Sequence, residues 1–158
     1  SMHVMLGHDL NDTKWVIQSH ILAMFLPSLF SGSLANKIGL KPLMFIGLLF
    51  YLICIGLTIS GSSVMHYWGG LVLLGLGWNF LFVSGTLLLA TTYTNQERFK
   101  AQGFHDFVVF GSQAFASLSS GVVIYSLGWE ALVLLALPFV VLQFLVMLVA
   151  FRSTIHQD

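Results

Sequence analysis

The sequence has very little charge, since only 8% of its 158 residues are Asp, Glu, Lys or Arg. Soluble domains carry about 25% charged residues, so this chain has almost nothing with which to cover a water-facing surface. Acidic and basic residues balance at six each, which leaves no basic patch of the kind that binds nucleic acid. The composition therefore excludes a soluble enzyme core, a disordered tail and a nucleic-acid binder, and it indicates an integral membrane protein in a lipid bilayer.

Cysteine is nearly absent as well. The single Cys54 lies in an apolar run, so the sequence can form neither an internal disulfide nor a cysteine-based metal knuckle. No group of His, Cys or carboxylate residues has the spacing of metal ligands either. We therefore expect no metal and no cofactor, and we interpret Cys54 as a small buried hydrophobic residue.

What the sequence has instead is long uncharged stretches, which run for 22, 55, 23 and 21 residues. A helix needs about 20 apolar residues to cross a hydrocarbon core, so three stretches fit one span each. The longest fits two spans, joined by a turn at Ser60–Ser63. The prediction is an all-α, polytopic transmembrane bundle of five spans. The predicted segments are 1–14 for an outer loop and the end of a preceding helix, 15–152 for the bundle with spans 16–35, 42–60, 68–92, 103–126 and 130–151, and 153–158 for a cytoplasmic tail.

Basic residues and tryptophans set the expected orientation. If the first span runs from outside to inside, five of the six basic residues lie on the inner side. Trp15, Trp68 and Trp129 then lie at outer span ends, where indole rings favour the headgroup level. The sequence thus predicts an outer N-terminus and a cytoplasmic C-terminus, and a start without a preceding span suggests that sequence is missing upstream. The inner basic residues are Lys37, Lys41, Arg98, Lys100 and Arg152.

Small residues and prolines within the spans indicate a compact bundle whose helices can bend. Helices in lipid associate where small residues let their backbones approach, and the fourth span has such a face from Gly111 to Gly121. Pro27 removes a backbone donor in the middle of the first span, so we expect a kink there. Pro138 predicts a second kink in the fifth span.

Polar side chains inside the spans are the candidate functional groups, because each costs free energy in lipid and tends to face a cavity or another helix. In the fourth span Gln102, Asp106, Gln113 and Ser117 share one face, which suits a water-filled path for a polar solute or a proton. Gln113 is deep enough to serve either a cavity or helix packing. The candidate path-lining residues are Gln18, His20, Asn79 and Gln113, and the candidate protonation or gate residues are Asp106 and Arg98.

Several of these residues also have purely structural interpretations that the sequence leaves open. His20 can be a neutral imidazole that is hydrogen-bonded to a neighbouring helix, and Asn79 can be a clamp between helices. Asp106 lies only about one turn into its span, so it can pair with Arg98 or Lys100 at the cytoplasmic surface. These alternatives assign the same residues to stability rather than to a path.

The loop after the first span carries the most specific pattern. It reads Gly32-Ser33-Leu34-Ala35-Asn36-Lys37-Ile38-Gly39-Leu40-Lys41, which resembles the loop motif G-x-L-a-D-R-x-G-R-K of the major facilitator superfamily. The glycines allow a tight turn and a close helix contact. The resemblance implies that the charges latch an inner gate, and that the latch is weak here because Asn36 replaces the usual Asp and Leu40 a usual base. The implied inner-gate loop consists of Gly32, Asn36, Lys37, Gly39 and Lys41.

Three further segments, 24–32, 75–82 and 102–107, resemble a bacterial permease subgroup of that superfamily, although His105 stands where an Asn is expected. The resemblance covers nearly the whole chain and equates its five spans with helices eight to twelve. It implies a partial C-terminal half of a secondary transporter that moves a small solute by alternating access. Proton coupling stays open, and the solute is undefined. The implied setting is a bacterial inner membrane, with the missing N-terminal half of the same transporter as partner.

Two other functions compete with this interpretation. The chain can be a truncated, non-transporting membrane protein that associates with or regulates a full-length permease. A membrane-embedded enzyme that uses His105 and Asp106, or His20, is disfavoured, because His20 lies near the outer face and Asp106 near the inner face, so they cannot meet. We therefore expect no enzymatic activity.

Overall fold

The computed structural model describes residues 9–152, and all regular structure in that part of the chain is helical, as predicted. The first helix already begins at Leu10, inside the segment 1–14 that was predicted to be an outer loop. Residues 1–8 and the predicted tail 153–158 lie outside the described residues. The helices are α1 Leu10–Phe25, α2 Ser28–Ile38, α3 Leu40–Ser60, α4 Val64–Leu89 and α5 Arg98–Arg152.

The first predicted span is a bent pair of helices. α1 and α2 are inclined by 46° across the short break at Leu26 and Pro27. Pro27 has no backbone N–H, so it cannot continue the hydrogen-bond ladder of α1. Ser31 resumes the ladder by donating its backbone N–H to the Pro27 carbonyl at 2.8 Å. The kink predicted at Pro27 is confirmed.

The last helix, α5, is 55 residues long and contains one sharp break. At Gly128 the backbone has φ 84° and ψ 176°, a conformation that is essentially restricted to glycine. This break divides α5 into a first arm, 98–127, and a second arm, 129–152. The second arm remains helical through Pro138, and the kink predicted there stays a prediction. Helices in membranes tolerate proline when neighbouring groups satisfy the freed carbonyl.

Among the described residues, α3, α4 and α5 are each long and apolar enough to cross a membrane. The bent pair of α1 and α2 can form one further span. Because each arm of α5 exceeds the roughly 20 residues that a crossing requires, the helices correspond to the five predicted spans.

α4 is the central helix of the bundle. On one side it contacts α3, and the two helices approach closely where Gly47 meets Gly77. A Cβ atom at Gly77 would lie 2.8 Å from the Gly47 carbonyl oxygen, and one at Gly47 would lie 3.0 Å from the Gly77 oxygen. On another side α4 runs parallel to α1, with Trp15 stacked on Trp68 at a ring distance of 5.4 Å. Small residues thus permit the close packing that the sequence indicated.

The two arms of α5 differ in how they pack. The second arm joins the core, where Val140 and Met147 contact Leu48 and Leu81. The first arm is mostly exposed, and Tyr125 in its last turns is 94% exposed. Among the described residues, its small-residue face at Gly111 and Gly121 has no neighbouring helix. The close contact predicted for that face is therefore absent from this part of the chain.

Candidate functional site

A buried polar cluster joins α4 to the bend between α1 and α2. Asn79 on α4 is fully buried, and its Nδ2 donates to the Met24 carbonyl oxygen at 2.7 Å and to Ser28 Oγ at 2.6 Å. Ser31 Oγ donates to Asn79 Oδ1 at 2.6 Å. Met24 precedes the break and the two serines follow it, so Asn79 holds both sides. We call these four residues the bend clasp. Its geometry is that of the interhelical clamp that the sequence left open.

His20 lies on the face of α1 that contacts α4. Its Nδ1 is 2.7 Å from the Leu71 carbonyl oxygen, and since a carbonyl only accepts, Nδ1 carries the proton. Gly75 makes this contact possible, because a Cβ atom there would lie 2.7 Å from the His20 carbonyl oxygen. The second ring nitrogen, Nε2, can then accept a hydrogen bond from a solute. Gln18 is exposed on α1.

Asp106 lies near the start of the first arm and is half exposed. Its Oδ1 is 3.1 Å from His105 Nδ1, and within residues 9–152 no Lys or Arg side chain lies this close to a carboxylate. The alternative pairing of Asp106 with Arg98 or Lys100 is therefore wrong in this structure. Arg98 is exposed at the first turn of α5, two turns before Asp106, so the adjacent histidine is the nearer partner.

The other polar residues of the predicted stripe have different surroundings. Gln102 Nε2 donates to the Tyr93 hydroxyl oxygen at 2.6 Å, which ties the first arm to the loop after α4. Gln113 and Ser117 are exposed on the part of the arm that has few neighbours. The structure thus ties one end of the stripe to the loop after α4 and leaves the other end open.

A run of aromatic rings that the sequence analysis did not single out connects three helices. Trp78 and Phe82 on α4 stack at 4.8 Å with their planes 6° apart. Phe25 at the end of α1 meets Trp78 edge-on at 5.8 Å. His105 and Phe110 on the first arm each lie 5.9 Å from Phe82. We call these five rings the aromatic ladder. The four-residue spacing of the α4 pair is a sequence signal for stacking, but the other members come together only in the fold.

The segment 32–41, predicted as an inner-gate loop, is helical except for Gly39, which joins α2 to α3. Gly39 has φ 90°, which favours glycine and confirms the tight turn. Lys41 contacts an aromatic ring instead of a carboxylate, since its Nζ lies 4.9 Å from the centre of Phe151 in the second arm. A Cβ atom at Gly32 would have no atom within 4 Å, so the close helix contact expected there is absent among the described residues. Asn36 and Lys37 are exposed near the end of α2.

An apolar cavity of about 380 Å³ lies apart from these groups, between α3, α4 and the second arm. Tyr51, Cys54 and Gln143 contribute to its lining, and none of the predicted path residues does. Within the described residues, no group of three His, Cys, Asp or Glu side chains is placed to hold a metal ion.

Comparison with known proteins gives consistent matches. The Riboflavin transporter RfnT of Brucella anthropi is 40% identical over 136 residues, which cover 86% of this chain and 34% of the relative. Two uncharacterized MFS-type transporters of Bacillus subtilis are also similar. YdeG is 36% identical, and the match covers 82% of this chain and 30% of YdeG. YddS is 35% identical, and the match covers 87% of this chain and 34% of YddS. No solved structure matches the chain.

The family profile described as Major Facilitator Superfamily matches residues 2–157. The match therefore includes all five helices, the bend clasp and the aromatic ladder. The chain spans about a third of the length of the relatives that it matches. On this evidence the chain belongs to the Major Facilitator Superfamily.

Proposed function

We propose that this chain is the C-terminal part of a secondary transporter that moves a small solute across a bacterial inner membrane by alternating access. The observation that carries the proposal is the family match over residues 2–157. Several polar groups within the membrane-spanning helices support it, because such groups are retained in lipid mainly where they serve a path or a partner helix. Transport, and not catalysis, is the activity that this arrangement favours.

We propose riboflavin as the solute, since the relative that is 40% identical to this chain carries that name. Gln18, His20 and Gln113 are proposed to line the path, because each is at least partly exposed on its helix. Asp106 is proposed as the protonation site, since its carboxylate is accessible and already hydrogen-bonded to a histidine. Arg98 at the start of the same arm is proposed as a gate residue at the inner surface.

Asn79 has a different role in this proposal. It is fully buried, and its side chain is hydrogen-bonded to Met24, Ser28 and Ser31 around the bend between α1 and α2. We therefore propose that Asn79 fixes the angle of that bend. The angle would stay constant while α1, α2 and α4 move together during transport. In this account the solute never contacts Asn79.

The proposed orientation has the N-terminus outside and the C-terminus in the cytoplasm. Trp15 packs on Trp68, and Trp129 lies 5.6 Å from Tyr67, so the three tryptophans share one end of the bundle. With Cys54 replaced by Ala, Ser63→Cys should react with an impermeant maleimide in intact cells. Lys37→Cys should react only after the membrane is opened, and the reverse pattern would refute the orientation.

We propose that transport needs membrane spans beyond those seen here, because the relatives are about three times as long as the matched region. The proposed partner is the N-terminal half of the same transporter. The alternative is that the chain associates with a separate full-length permease. Pull-down from native membranes with an antibody against this chain distinguishes the two by the size of the polypeptide that carries its peptides.

The test of the function is riboflavin uptake by bacterial cells that lack their own riboflavin uptake and express the natural polypeptide containing this sequence. We expect saturable uptake, and Asp106→Asn should remove its dependence on the proton gradient. Glu130→Gln, which changes an exposed carboxylate at the start of the second arm, is the matched control and should leave uptake intact. Uptake equal to that of cells without the protein, with the protein present in the membrane, would refute the proposal.

A further inference from the structure

The aromatic ladder has the shape and the exposure of a binding surface. Trp78 and Phe82 form a stacked floor on α4, while Phe25 and Phe110 bracket it from α1 and from the first arm. Phe25 is 56% exposed and Phe110 is 46% exposed, so both ends of the ladder present ring surface that no other described residue covers.

Open space adjoins this floor. Gly85 follows Phe82 by three residues and therefore lies on the same side of α4, one turn further along. A Cβ atom at Gly85 would have no atom within 4 Å, and the same is true at Gly111, beside Phe110. The side of α4 that carries Gly85 and Phe82 is therefore open among the described residues, and a flat molecule can approach the ladder there.

Polar atoms stand at the edge of the ladder. His105 is itself one of the rings, and Asp106 accepts the hydrogen bond from its Nδ1 at 3.1 Å. Asp106 is half exposed, so its second carboxylate oxygen and the Nε2 atom of His105 are free to accept hydrogen bonds. A ligand in this position would stack one of its faces on the rings. N–H groups along the edge of the ligand would donate hydrogen bonds to Asp106 and His105.

We infer that the aromatic ladder is a stacking site for a flat heteroaromatic ring, whose edge hydrogen-bonds the pair formed by His105 and Asp106. This inference rests on the proposed function, since it names the substrate class of the same path. Aromatic rings attract one another in offset or edge-on arrangements with centres about 4.5–7 Å apart, and a flat ring of the solute would add to the exposed rings of the ladder in the same way. A saturated sugar or an aliphatic acid has no ring face to match it, so neither is the expected solute.

The experiment measures binding to the full chain in lipid nanodiscs by the quenching of riboflavin fluorescence. Phe82→Leu removes the central ring and should weaken binding about tenfold or more, because stacking on an aromatic ring depends on the ring face. Phe82→Tyr keeps the face and should bind as the parent does. Phe115→Leu is the matched control, since Phe115 lies on the first arm like Phe110, is 73% exposed and is outside the ladder.

Competition separates the ring of the ligand from its side chain. Lumichrome, which retains the flat ring system, should displace riboflavin, and ribitol should not. Binding that Phe82→Leu leaves unchanged, or displacement by ribitol alone, would overturn the inference. Normal thermal unfolding of the Phe82→Leu protein shows that weaker binding is not a folding defect, and Phe82→Tyr provides the second variant if Phe82→Leu fails to fold.

The proposal about the ladder and the proposed function can fail separately. Ladder-dependent binding of lumichrome without any riboflavin transport would refute riboflavin as the solute and retain the stacking site. Riboflavin transport with the same KM in parent and Phe82→Leu proteins would retain the function and refute the stacking site. Preference for a flat organic cation over lumichrome would place the recognition in the Asp106 charge instead of the rings, and would also refute the inference.

Discussion

Asn79 donates hydrogen bonds to the Met24 carbonyl oxygen and to Ser28 Oγ, which lie on opposite sides of the break at Pro27. A proline in a helix leaves a carbonyl without its usual donor and makes the angle of the bend variable. In this chain a buried amide on the neighbouring helix donates to the Met24 carbonyl at the end of α1, beside the Ala23 carbonyl that Pro27 leaves without its usual donor. The bend is therefore set by contact with α4 as well as by the proline.

Removal of the Asn79 amide should destabilise the bundle. In Asn79→Leu the Met24 carbonyl and two serine hydroxyls lose their partner in a buried position, which should lower the free energy of unfolding by about 1–2 kcal/mol. Thermal unfolding of the purified protein in detergent measures this. Ser33→Ala, an exposed serine on the same helix as Ser31, should have no effect, and equal stability of the two variants would contradict the clasp.

Addition of one methyl group at Gly75 should also be destabilising. The new Cβ atom would lie 2.7 Å from the His20 carbonyl oxygen, so α1 must move away from α4. We expect Gly75→Ala to cost about 1–3 kcal/mol. Gly85→Ala on the same helix meets no atom within 4 Å and should be neutral or slightly stabilising. Unfolding curves of the two variants test the prediction, which fails if they coincide.

Lys41 and Phe151 should be energetically coupled. The ammonium lies 4.9 Å from the ring centre, within the range of a cation–π interaction. A double-mutant cycle with Lys41→Met and Phe151→Leu should give a coupling free energy of about 0.5–1 kcal/mol. The same cycle with exposed Lys37 in place of Lys41 is the control and should give none. A coupling near zero for Lys41 would show that the ring does not hold the ammonium.

The hydroxyl and backbone N–H of Thr94 lower the pKa of Glu97 in the loop before α5, since both donate to its carboxylate. A lowered pKa in the folded state means that this contact stabilises the loop above the ordinary pKa of Glu97. The contribution is lost as the pH falls through the lowered pKa. Thr94→Val removes the hydroxyl and should raise the pKa of Glu97, as measured by NMR titration. Thr91→Val, whose hydroxyl bonds Leu88, should not change it.

The sequence was sufficient for the helices because their signal is local. Uncharged stretches of about 20 residues report the membrane directly, and Pro27 and Gly39 each carry a backbone constraint that fixes a bend or a turn wherever they occur. The break at Gly128 was not predicted, because the φ of a glycine cannot be read from its surroundings in sequence.

The candidate site was less accessible to sequence reasoning because it depends on contacts between distant residues. In sequence, Asn79 is a polar residue in an apolar helix, which fits both a solute ligand and a clamp between helices. Only its partners on α1 and α2 distinguish these two roles. The sequence offered Arg98 and Lys100 as partners for Asp106, but in the structure its partner is the adjacent His105. The aromatic ladder joins residues as far apart as Phe25 and Phe110, and no pattern within one helix contains it.

Counterflow in liposomes that contain the natural polypeptide carrying this sequence tests riboflavin transport most directly. Liposomes loaded with unlabelled riboflavin are diluted into a trace of labelled riboflavin, with no ion gradient. If the protein works by alternating access, we predict transient accumulation of label inside the liposomes. Each unlabelled molecule that leaves brings the binding site to the outside, where it binds labelled riboflavin and carries it in. Absence of accumulation, with the protein correctly folded and oriented in the membrane, would contradict riboflavin transport by this protein.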